Sequence, residues 1–300
     1  MSIIFTGGSG FLGKTFQDNK FDALYLNSKD LNLIDRKATY DYFKNIKPSC
    51  IIHAANKVGG ILKNSKCMYE FYHDNLIINT NVIDYCVTTN TKLILMSSTC
   101  VYPKQASSYP MVEDMLHDGL AEESNLGYAF SKRAADIQLW SATKQYGYND
   151  YTILYLSNLY GKRDHYFSDD SHFIAAFISK IINNTNEIIP MYGTGTPLRQ
   201  FTYADDIVFV VNSILQNNII GRFNVATPEN LSIKEMSEII LKEFNINKTL
   251  DFNGNLDGVY RKDVSSNKLL EVIKDFNFTT FENGIKQLKK ELHDVLEFNA

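Results

Sequence analysis

Thr6-Gly7-Gly8-Ser9-Gly10-Phe11-Leu12-Gly13 is the stretch that decides the fold, because it joins a short apolar run at residues 3–5 to a segment of helical character. Its glycines at positions 7, 10 and 13 follow the spacing G-x-x-G-x-x-G. Glycine here permits a tight turn, a close approach of the backbone to a pyrophosphate, and close packing of the helix on the strand. The N–H groups that open the helix then point at the phosphates. Since the strand and the helix flank the turn as this motif requires, we interpret it as a dinucleotide site rather than a plain glycine turn.

Short apolar runs alternate with longer helical segments through the first 165 residues, which predicts a parallel sheet flanked by helices. We expect strands at 3–6, 23–26, 50–53, 93–96 and 151–156, and helices at 11–17, 36–45, 66–87 and 125–146. Asp35 is expected to cap the second helix, and Gly147 to follow the last one. The predicted fold class is therefore α/β, with a Rossmann-type doubly wound parallel sheet.

The alternation loosens after about residue 165. Helices are expected at 171–182, 204–215 and 233–244, and the C-terminal stretch places Ile285, Leu288, Leu292 and Val295 at helical spacing. We predict a dinucleotide-binding domain at residues 1–165, to which part of 200–225 returns. Residues 166–300 are predicted to form a smaller C-terminal α/β domain that binds the substrate.

Composition excludes several classes of protein. The net charge of −4 leaves no global basic field that would attract nucleic acid or a membrane surface. No apolar run approaches the ~18 residues of a membrane span, and the N-terminus lacks the pattern of a signal peptide, so we expect a cytoplasmic protein. The four cysteines, Cys50, Cys67, Cys86 and Cys100, lack the spacing of a metal site, and no disulfide framework is expected.

The end of the second predicted strand indicates which dinucleotide is bound. NAD-binding folds carry an acidic residue about 20 positions after the first glycine, where it holds the ribose 2′-hydroxyl. This chain has Asn27-Ser28-Lys29 there, and a lysine with a hydroxyl suits a 2′-phosphate better. NADP(H) is therefore favoured, while the adjacent Asp30 keeps NAD open as the alternative.

Tyr128 and Lys132 form the pattern Y-x-x-x-K on a predicted helix, where a spacing of four places both side chains on one face. A neighbouring ammonium is expected to lower the pKa of the tyrosine and fit it for proton transfer to a carbonyl oxygen. Ser98 follows the fourth strand, at the sheet edge where ligands bind in such folds. We predict that Ser98 hydrogen-bonds the substrate oxygen.

These features and several further segments resemble the extended short-chain dehydrogenases/reductases, and among them the GDP-L-fucose synthases. The resemblance runs from about residue 3 to 265. It is carried by Val58-Gly59-Gly60-Ile61, Ser98-Thr99-Cys100-Val101-Tyr102-Pro103-Lys104, Asn158-Leu159-Tyr160-Gly161, His172, and Gly193-Thr194-Gly195-Thr196-Pro197-Leu198-Arg199-Gln200-Phe201 before Ala204-Asp205-Asp206.

The resemblance implies an NADPH-dependent reduction of the C4 ketone of a nucleotide-linked, GDP-type 4-keto-6-deoxysugar in activated-sugar biosynthesis. Ser98, Tyr128 and Lys132 would be the reductase triad, and Tyr128 and Lys132 would also contact the cofactor, with Lys132 holding the nicotinamide ribose. Cys100 and His172 would be the acid–base pair that epimerises C3 and C5. Ala54 would contact the cofactor, and the enzyme would be a homodimer. The implied contacts to the substrate diphosphate are Asn158, Lys180, Arg199 and Arg261.

The chain departs from the expected pattern at Asn56, where Ala54-Ala55-Asn56-Lys57-Val58 has one residue more than the family's block. A C4 reductase without epimerase activity, acting on a GDP-linked 4-keto-hexose or 4-keto-heptose, therefore stays open. An NAD-dependent nucleotide-sugar 4-epimerase is a second alternative. A dinucleotide-binding sensor without catalysis is a third, although sensors usually lack the Tyr/Lys pair.

Overall fold

The computed structural model of the chain describes residues 2–59, 66–168, 171–254 and 257–297, so Gly60 and Ile61 of the segment quoted above lie outside the described residues. Its strands are β1 (Ile3–Thr6), β2 (Leu24–Leu26), β3 (Cys50–His53), β4 (Lys92–Ser98), β5 (Tyr151–Leu156), β6 (Asn158–Tyr160), β7 (Ile188–Met191), β8 (Leu198–Arg199), β9 (Phe201–Tyr203), β10 (Gly221–Val225), β11 (Leu231–Ser232) and β12 (Thr249–Phe252). Its α-helices are α1 (Phe11–Asp18), α2 (Arg36–Ile46), α3 (Met68–Thr89), α4 (Leu126–Tyr146), α5 (Phe173–Asn183), α6 (Ala204–Gln216), α7 (Ile233–Phe244), α8 (Asn267–Val272) and α9 (Phe281–Glu297).

A six-stranded parallel sheet in the order β10-β5-β4-β3-β1-β2 confirms the predicted fold class. Strand β1 lies between β2 and β3, with Ile4 opposite both Leu24 and Ile51. The chain therefore winds in opposite directions from β1, and the crevice at the carboxyl ends of β1 and β3 is where such sheets bind ligands.

The predicted elements of the first half are confirmed, with ends that differ by at most two residues. Local capping explains the sharpest boundaries. The Asp35 side chain accepts the N–H of Ala38 at 2.9 Å and starts α2. Gly147 adopts a left-handed φ of 71° and ends α4. In the second half, the Ser232 side chain and Glu235 form a capping box that starts α7 at the expected place.

Apolar residues cover both faces of the sheet, as in buried parallel strands. On one face Ile51, Leu93 and Ile153 pack against α2, α3 and α4. On the other face the alternate residues Phe5, Ile94 and Leu154 pack against α1, α6 and α8. The two layers of helices hold the carboxyl edge of the sheet in a fixed position.

Two later parts of the chain complete this sheet. Strand β10 is its sixth strand, and α6 packs beside α1 on the same face. Residues 267–278 also join this face through Leu269, Ile273 and Phe278. This position differs from the predicted substrate domain at 166–300, because the apolar residues of 267–278 do not reveal in the sequence which layer they cover.

A separate hydrophobic cluster joins α5, α7 and α9 with the short strand pairs β12–β7 and β6–β9. Ile285, Leu288 and Leu292 are buried in it at the spacing expected for the C-terminal helix, while the Val295 side chain lies outside the described residues. Within the described residues, no helix is long and apolar enough to cross a bilayer.

Candidate active site

The glycine turn lies at the carboxyl end of β1, where a side chain at position 7, 8 or 13 would clash with neighbouring atoms. Gly7 has a φ of +81°, and a Cβ there would lie 2.9 Å from the backbone nitrogen of Ala55. A Cβ at Gly13 would lie 2.5 Å from the carbonyl oxygen of Gly7. Gly10 precedes α1 without a side-chain cap, so side chains leave the first helical N–H groups free for an anion. This cradle fits the pyrophosphate of a dinucleotide.

The predicted cofactor residues surround this cradle. Ser9 is exposed at the tip of the turn, and Phe11 and Leu12 are half-buried at the start of α1. Ala54 follows β3, and its N–H donates to the carbonyl of Thr6 at 3.3 Å. The structure thus brings the residues after β1 and β3 together at one edge.

The turn after β2 shows which group the carboxylate of Asp30 contacts. Asn27 immediately follows β2, and its N–H donates to the Asp30 carboxylate at 2.9 Å. The Lys29 N–H donates to the Asn27 side chain at 2.8 Å, while the side chains of Ser28 and Lys29 are exposed. Asp30 is thus turned back onto the backbone, and the polar and basic groups that remain suit a 2′-phosphate.

Lys132 lies on α4 and is 2% exposed. Its Nζ donates to the carbonyl oxygen of Met96, near the end of β4, at 2.7 Å. Burial lowers the pKa of Lys132 from 10.5 to about 7. The ammonium is therefore directed at the strand that carries Ser98.

Tyr128 corrects one expectation, because its pKa is raised rather than lowered in the free protein. Burial is the largest cause and the neighbouring Cys100 adds to it, whereas a hydrogen bond with Ser98 acts in the opposite direction. The spacing placed Lys132 on the same helix face but did not reveal that its ammonium binds Met96. Tyr128, Ser98 and Cys100 nevertheless lie together, and the Cys100 N–H donates to the Ser98 hydroxyl at 3.2 Å.

A buried chain of polar groups links the glycine turn to α4. The Ala55 N–H donates to the Thr6 hydroxyl at 3.3 Å, and Thr6 Oγ1 lies 2.7 Å from Nδ1 of His53. Nε2 of His53 lies 3.1 Å from Oδ1 of Asn79, and the Asn79 amide donates to the carbonyl of Ser131 at 3.5 Å. One assignment satisfies every group, with Nε2 of His53 protonated and Nδ1 accepting from Thr6.

Burial, followed by the charge of Lys132, lowers the pKa of His53 to about 3. His53 is therefore neutral, and it fixes the sheet edge relative to the helix of Tyr128 and Lys132. Sequence reasoning missed this chain. The one available signal was a histidine at the end of an otherwise apolar strand, Cys50-Ile51-Ile52-His53.

Cys100 and His172 lie on different loops, and among the described residues no direct hydrogen bond joins them. Cys100 is half-buried in a short 3₁₀ helix at Thr99–Val101. His172 precedes α5, and its Nδ1 lies 3.2 Å from Oδ1 of the buried Asp164. The hydrogen bond to Asp164 raises the pKa of His172. Sequence reasoning missed Asp164, because its burial depends on how the loop packs.

The four residues predicted to contact the diphosphate differ in the partners that they already bind in the structure. Arg261 forms a fork with Asp263 at 2.5 and 2.9 Å. Arg199 donates to the carbonyl of Leu198 at 2.7 Å and forms no hydrogen bond with a carboxylate in the described part of the chain. Burial lowers the pKa of Arg199, and the nearby charge of Asp257 acts in the opposite direction.

The remaining two candidates have backbone partners. The Asn158 amide donates to the carbonyl of Gln200 at 3.1 Å, and Lys180 donates to that of Pro190. Arg199 therefore retains the most capacity to bind an anion.

The four cysteines are free thiols. Within the described ranges, no cluster of three or more His, Cys, Asp and Glu side chains could hold a metal ion.

Comparison with known proteins agrees with this geometry. The sequence profile of the NAD dependent epimerase/dehydratase family matches residues 3–226. The GDP-L-fucose synthase of Dictyostelium discoideum is 34% identical, over 95% of this chain and 93% of its own. A probable GDP-L-fucose synthase of Drosophila melanogaster is 31% identical, over 94% of each chain.

Among solved structures, a GDP-L-fucose synthetase from Naegleria fowleri bound to NADP superposes with a TM-score of 0.86. It is 28% identical, and the match covers 99% of this chain and 93% of that one. The chain therefore belongs to the NAD dependent epimerase/dehydratase family and, along nearly its whole length, is similar to GDP-L-fucose synthases.

Proposed function

We propose that this protein is an NADPH-dependent enzyme that reduces the C4 ketone of a GDP-linked 4-keto-6-deoxysugar and epimerises C3 and C5 of the same sugar. The observation that carries the proposal is the meeting of Ser98, Tyr128 and Lys132 at the carboxyl edge of the sheet, beside a glycine cradle. The similarity to GDP-L-fucose synthases supports the choice of substrate.

The residues that would hold NADPH are those of the glycine turn, the Asn27-Ser28-Lys29 segment and Ala54. When bound, NADPH supplies the hydride for C4. The small residues of the turn admit the pyrophosphate, and the exposed Lys29 offers a cation to the 2′-phosphate.

Tyr128 is the proton donor in this mechanism. Its raised pKa keeps the phenol protonated at neutral pH, which is the form that reduction of a ketone requires. Ser98 donates a hydrogen bond that polarises the C4 carbonyl. Lys132, one turn further along α4, is proposed to stabilise through its charge the phenolate that remains after proton transfer, while its Nζ is held by the carbonyl of Met96.

Epimerisation uses the acidity that the 4-keto group gives to the hydrogens on C3 and C5. Cys100 and His172 are the proposed acid–base pair, on opposite faces of the sugar ring. Arg199, Arg261, Lys180 and Asn158 are the proposed contacts to the GDP diphosphate.

We further propose a cytoplasmic homodimer that pairs through exposed apolar side chains of α3 and α4. Tyr69 is 73% exposed, and Trp140 and Ile137 on α4 are 53% and 48% exposed. Light scattering should give twice the monomer mass, and Trp140→Lys should reduce it to the monomer. A monomeric wild-type chain would contradict this assembly.

The test of the proposed reaction is NADPH consumption at 340 nm with GDP-4-keto-6-deoxymannose in D₂O, followed by NMR of the product. Consumption with deuterium at C3 and C5 is expected. Consumption without deuterium would indicate a C4 reductase only, and no consumption would refute the substrate. Tyr128→Phe should lower kcat by about 10²–10⁴, whereas Tyr146→Phe, on the exposed end of the same helix, should retain it.

A further inference from the structure

We propose that Asp164 is the positioning residue of His172, because its buried carboxylate holds Nδ1 protonated and presents Nε2 to the sugar. The inference rests on the proposed role of His172 in epimerisation. Asp164 itself lies behind the imidazole and does not contact substrate.

The geometry is that of a buried carboxylate behind a half-exposed imidazole. The Asp164 side chain is 1% exposed and that of His172 is 50% exposed. Oδ1 of Asp164 accepts the N–H of His165 at 2.8 Å as well as the contact with His172. Oδ2 is buried without a hydrogen-bond partner within the described residues. Because one oxygen of this buried carboxylate has no hydrogen-bond partner there, a proton on Nδ1 of His172 stabilises the negative charge strongly.

The other charged groups nearby are held elsewhere. Arg163 binds Asp18 through two hydrogen bonds of 2.6 Å, and Lys180 on α5 donates to the carbonyl of Pro190. The Tyr166 hydroxyl donates to the carbonyl of Gly161 at 3.0 Å. Lys162, the other cation of the loop, interacts with the charge of Asp18. His165 contacts Asp164 through its backbone N–H. Within the described residues, His172 is thus the cation whose side chain pairs with Asp164.

Two consequences follow for His172. The negative charge favours the imidazolium, and the hydrogen bond fixes the ring when it is neutral, with the proton on Nδ1. Nε2 is then the nitrogen that exchanges a proton with the sugar carbon. A histidine without this partner could rotate or adopt the other tautomer, and proton transfer would become slower.

The direct test is an NMR titration of His172 in the free protein, with His172→Gln to assign the signal. The wild-type midpoint should lie above the ordinary 6.5. Asp164→Asn should lower it by about one pH unit. Asp18→Asn, which removes a carboxylate that binds the same loop through Arg163, should leave it unchanged. An unchanged midpoint in Asp164→Asn would overturn the proposal.

A measurement on the wild type covers the case in which Asp164→Asn does not fold. The ¹⁵N shifts of neutral His172 should indicate a proton on Nδ1. The opposite tautomer, with Nδ1 unprotonated, would overturn the proposal without any variant.

The catalytic test is solvent deuterium incorporation at C3 and C5 across a range of pH. Asp164→Asn should slow incorporation about 10–100-fold and move the histidine limb of the profile to lower pH, with unchanged NADPH affinity. If His172→Gln incorporates deuterium normally, the proposed epimerase pair is wrong. If His172→Gln is inactive while Asp164→Asn behaves as wild type, the role of Asp164 alone is wrong.

Discussion

Nε2 of His53, the last residue of β3, lies 3.1 Å from Oδ1 of Asn79 on α3. Asn79 in turn holds the carbonyl of Ser131, one residue before Lys132. The helix that carries Tyr128 and Lys132 is therefore attached through a neutral histidine to the strands that border the cofactor cradle. This attachment is one of the contacts that hold α4 against the sheet.

Removal of the Asn79 amide should affect both stability and catalysis. Asn79→Ala leaves a buried N–H of His53 without a partner, which should cost about 1–3 kcal/mol in the free energy of unfolding. It should also lower kcat about tenfold, because α4 loses one of its fixed points. Urea denaturation and NADPH consumption measure the two effects.

Asn81 provides the matched control for Asn79. It lies on the same helix, is also buried, and donates to the carbonyls of Leu33 and Ile34, away from α4. Asn81→Ala should destabilise the protein comparably and retain kcat. Equal kcat values in the two variants would show that the His53 chain has no catalytic effect.

We expect the burial of the Lys132 ammonium to lower the free energy of unfolding, although the proposed reaction requires this residue. Its pKa is about 7 in the folded chain and 10.5 ordinarily, so the unfolded chain binds more protons between those values. Wild-type stability should therefore rise as pH increases through this window, and the penalty is complete below about pH 7.

Lys132→Met should consequently be inactive but more stable. We expect a gain of about 1–3 kcal/mol near pH 6, since loss of the bond to Met96 offsets part of the relieved charge, and a smaller gain near pH 9. Urea midpoints at the two pH values test this. A gain that does not change with pH would contradict the titration of Lys132.

The sequence predicts the elements that are long enough to show a repeated apolar pattern. It does not predict contacts that depend on tertiary packing. The long helices and the sheet strands follow from apolar periodicity and caps such as Asp35. Strands of two residues, such as β8 and β11, leave no periodic signal because distant backbone pairing creates them. The same limit applies to the site. Spacing placed Tyr128 and Lys132 on one face, but the partners His53, Asn79 and Asp164 are defined by burial.

Lys29 should determine the preference for NADPH over NADH. Lys29→Ala removes the exposed cation beside Asn27, and the ratio of kcat/KM for the two cofactors should fall about tenfold. Lys44→Ala, another exposed lysine on the last turn of α2, is the control and should leave the ratio unchanged. An unaltered ratio in Lys29→Ala would place the 2′-phosphate elsewhere.

Arg199 and Arg261 should differ in their contribution to substrate binding. In the described part of the chain no carboxylate is hydrogen-bonded to Arg199, although Asp257 is close enough to interact with its charge, so Arg199→Ala should raise the KM for the GDP-sugar about 10–100-fold. Arg261→Ala should have a smaller effect, because Asp263 already occupies its guanidinium. A larger KM effect from Arg261→Ala would mean that Arg261 exchanges Asp263 for the diphosphate.

The sixth strand of the sheet has a consequence for how the protein is made. Because Gly221–Val225 closes the sheet and residues 267–278 cover one of its faces, the nucleotide-binding half stays incomplete until most of the chain has left the ribosome. Until then, the apolar faces of the five strands already synthesised remain partly uncovered. Early chain termination would thus remove cofactor binding together with substrate binding, although the glycine turn is among the first residues synthesised.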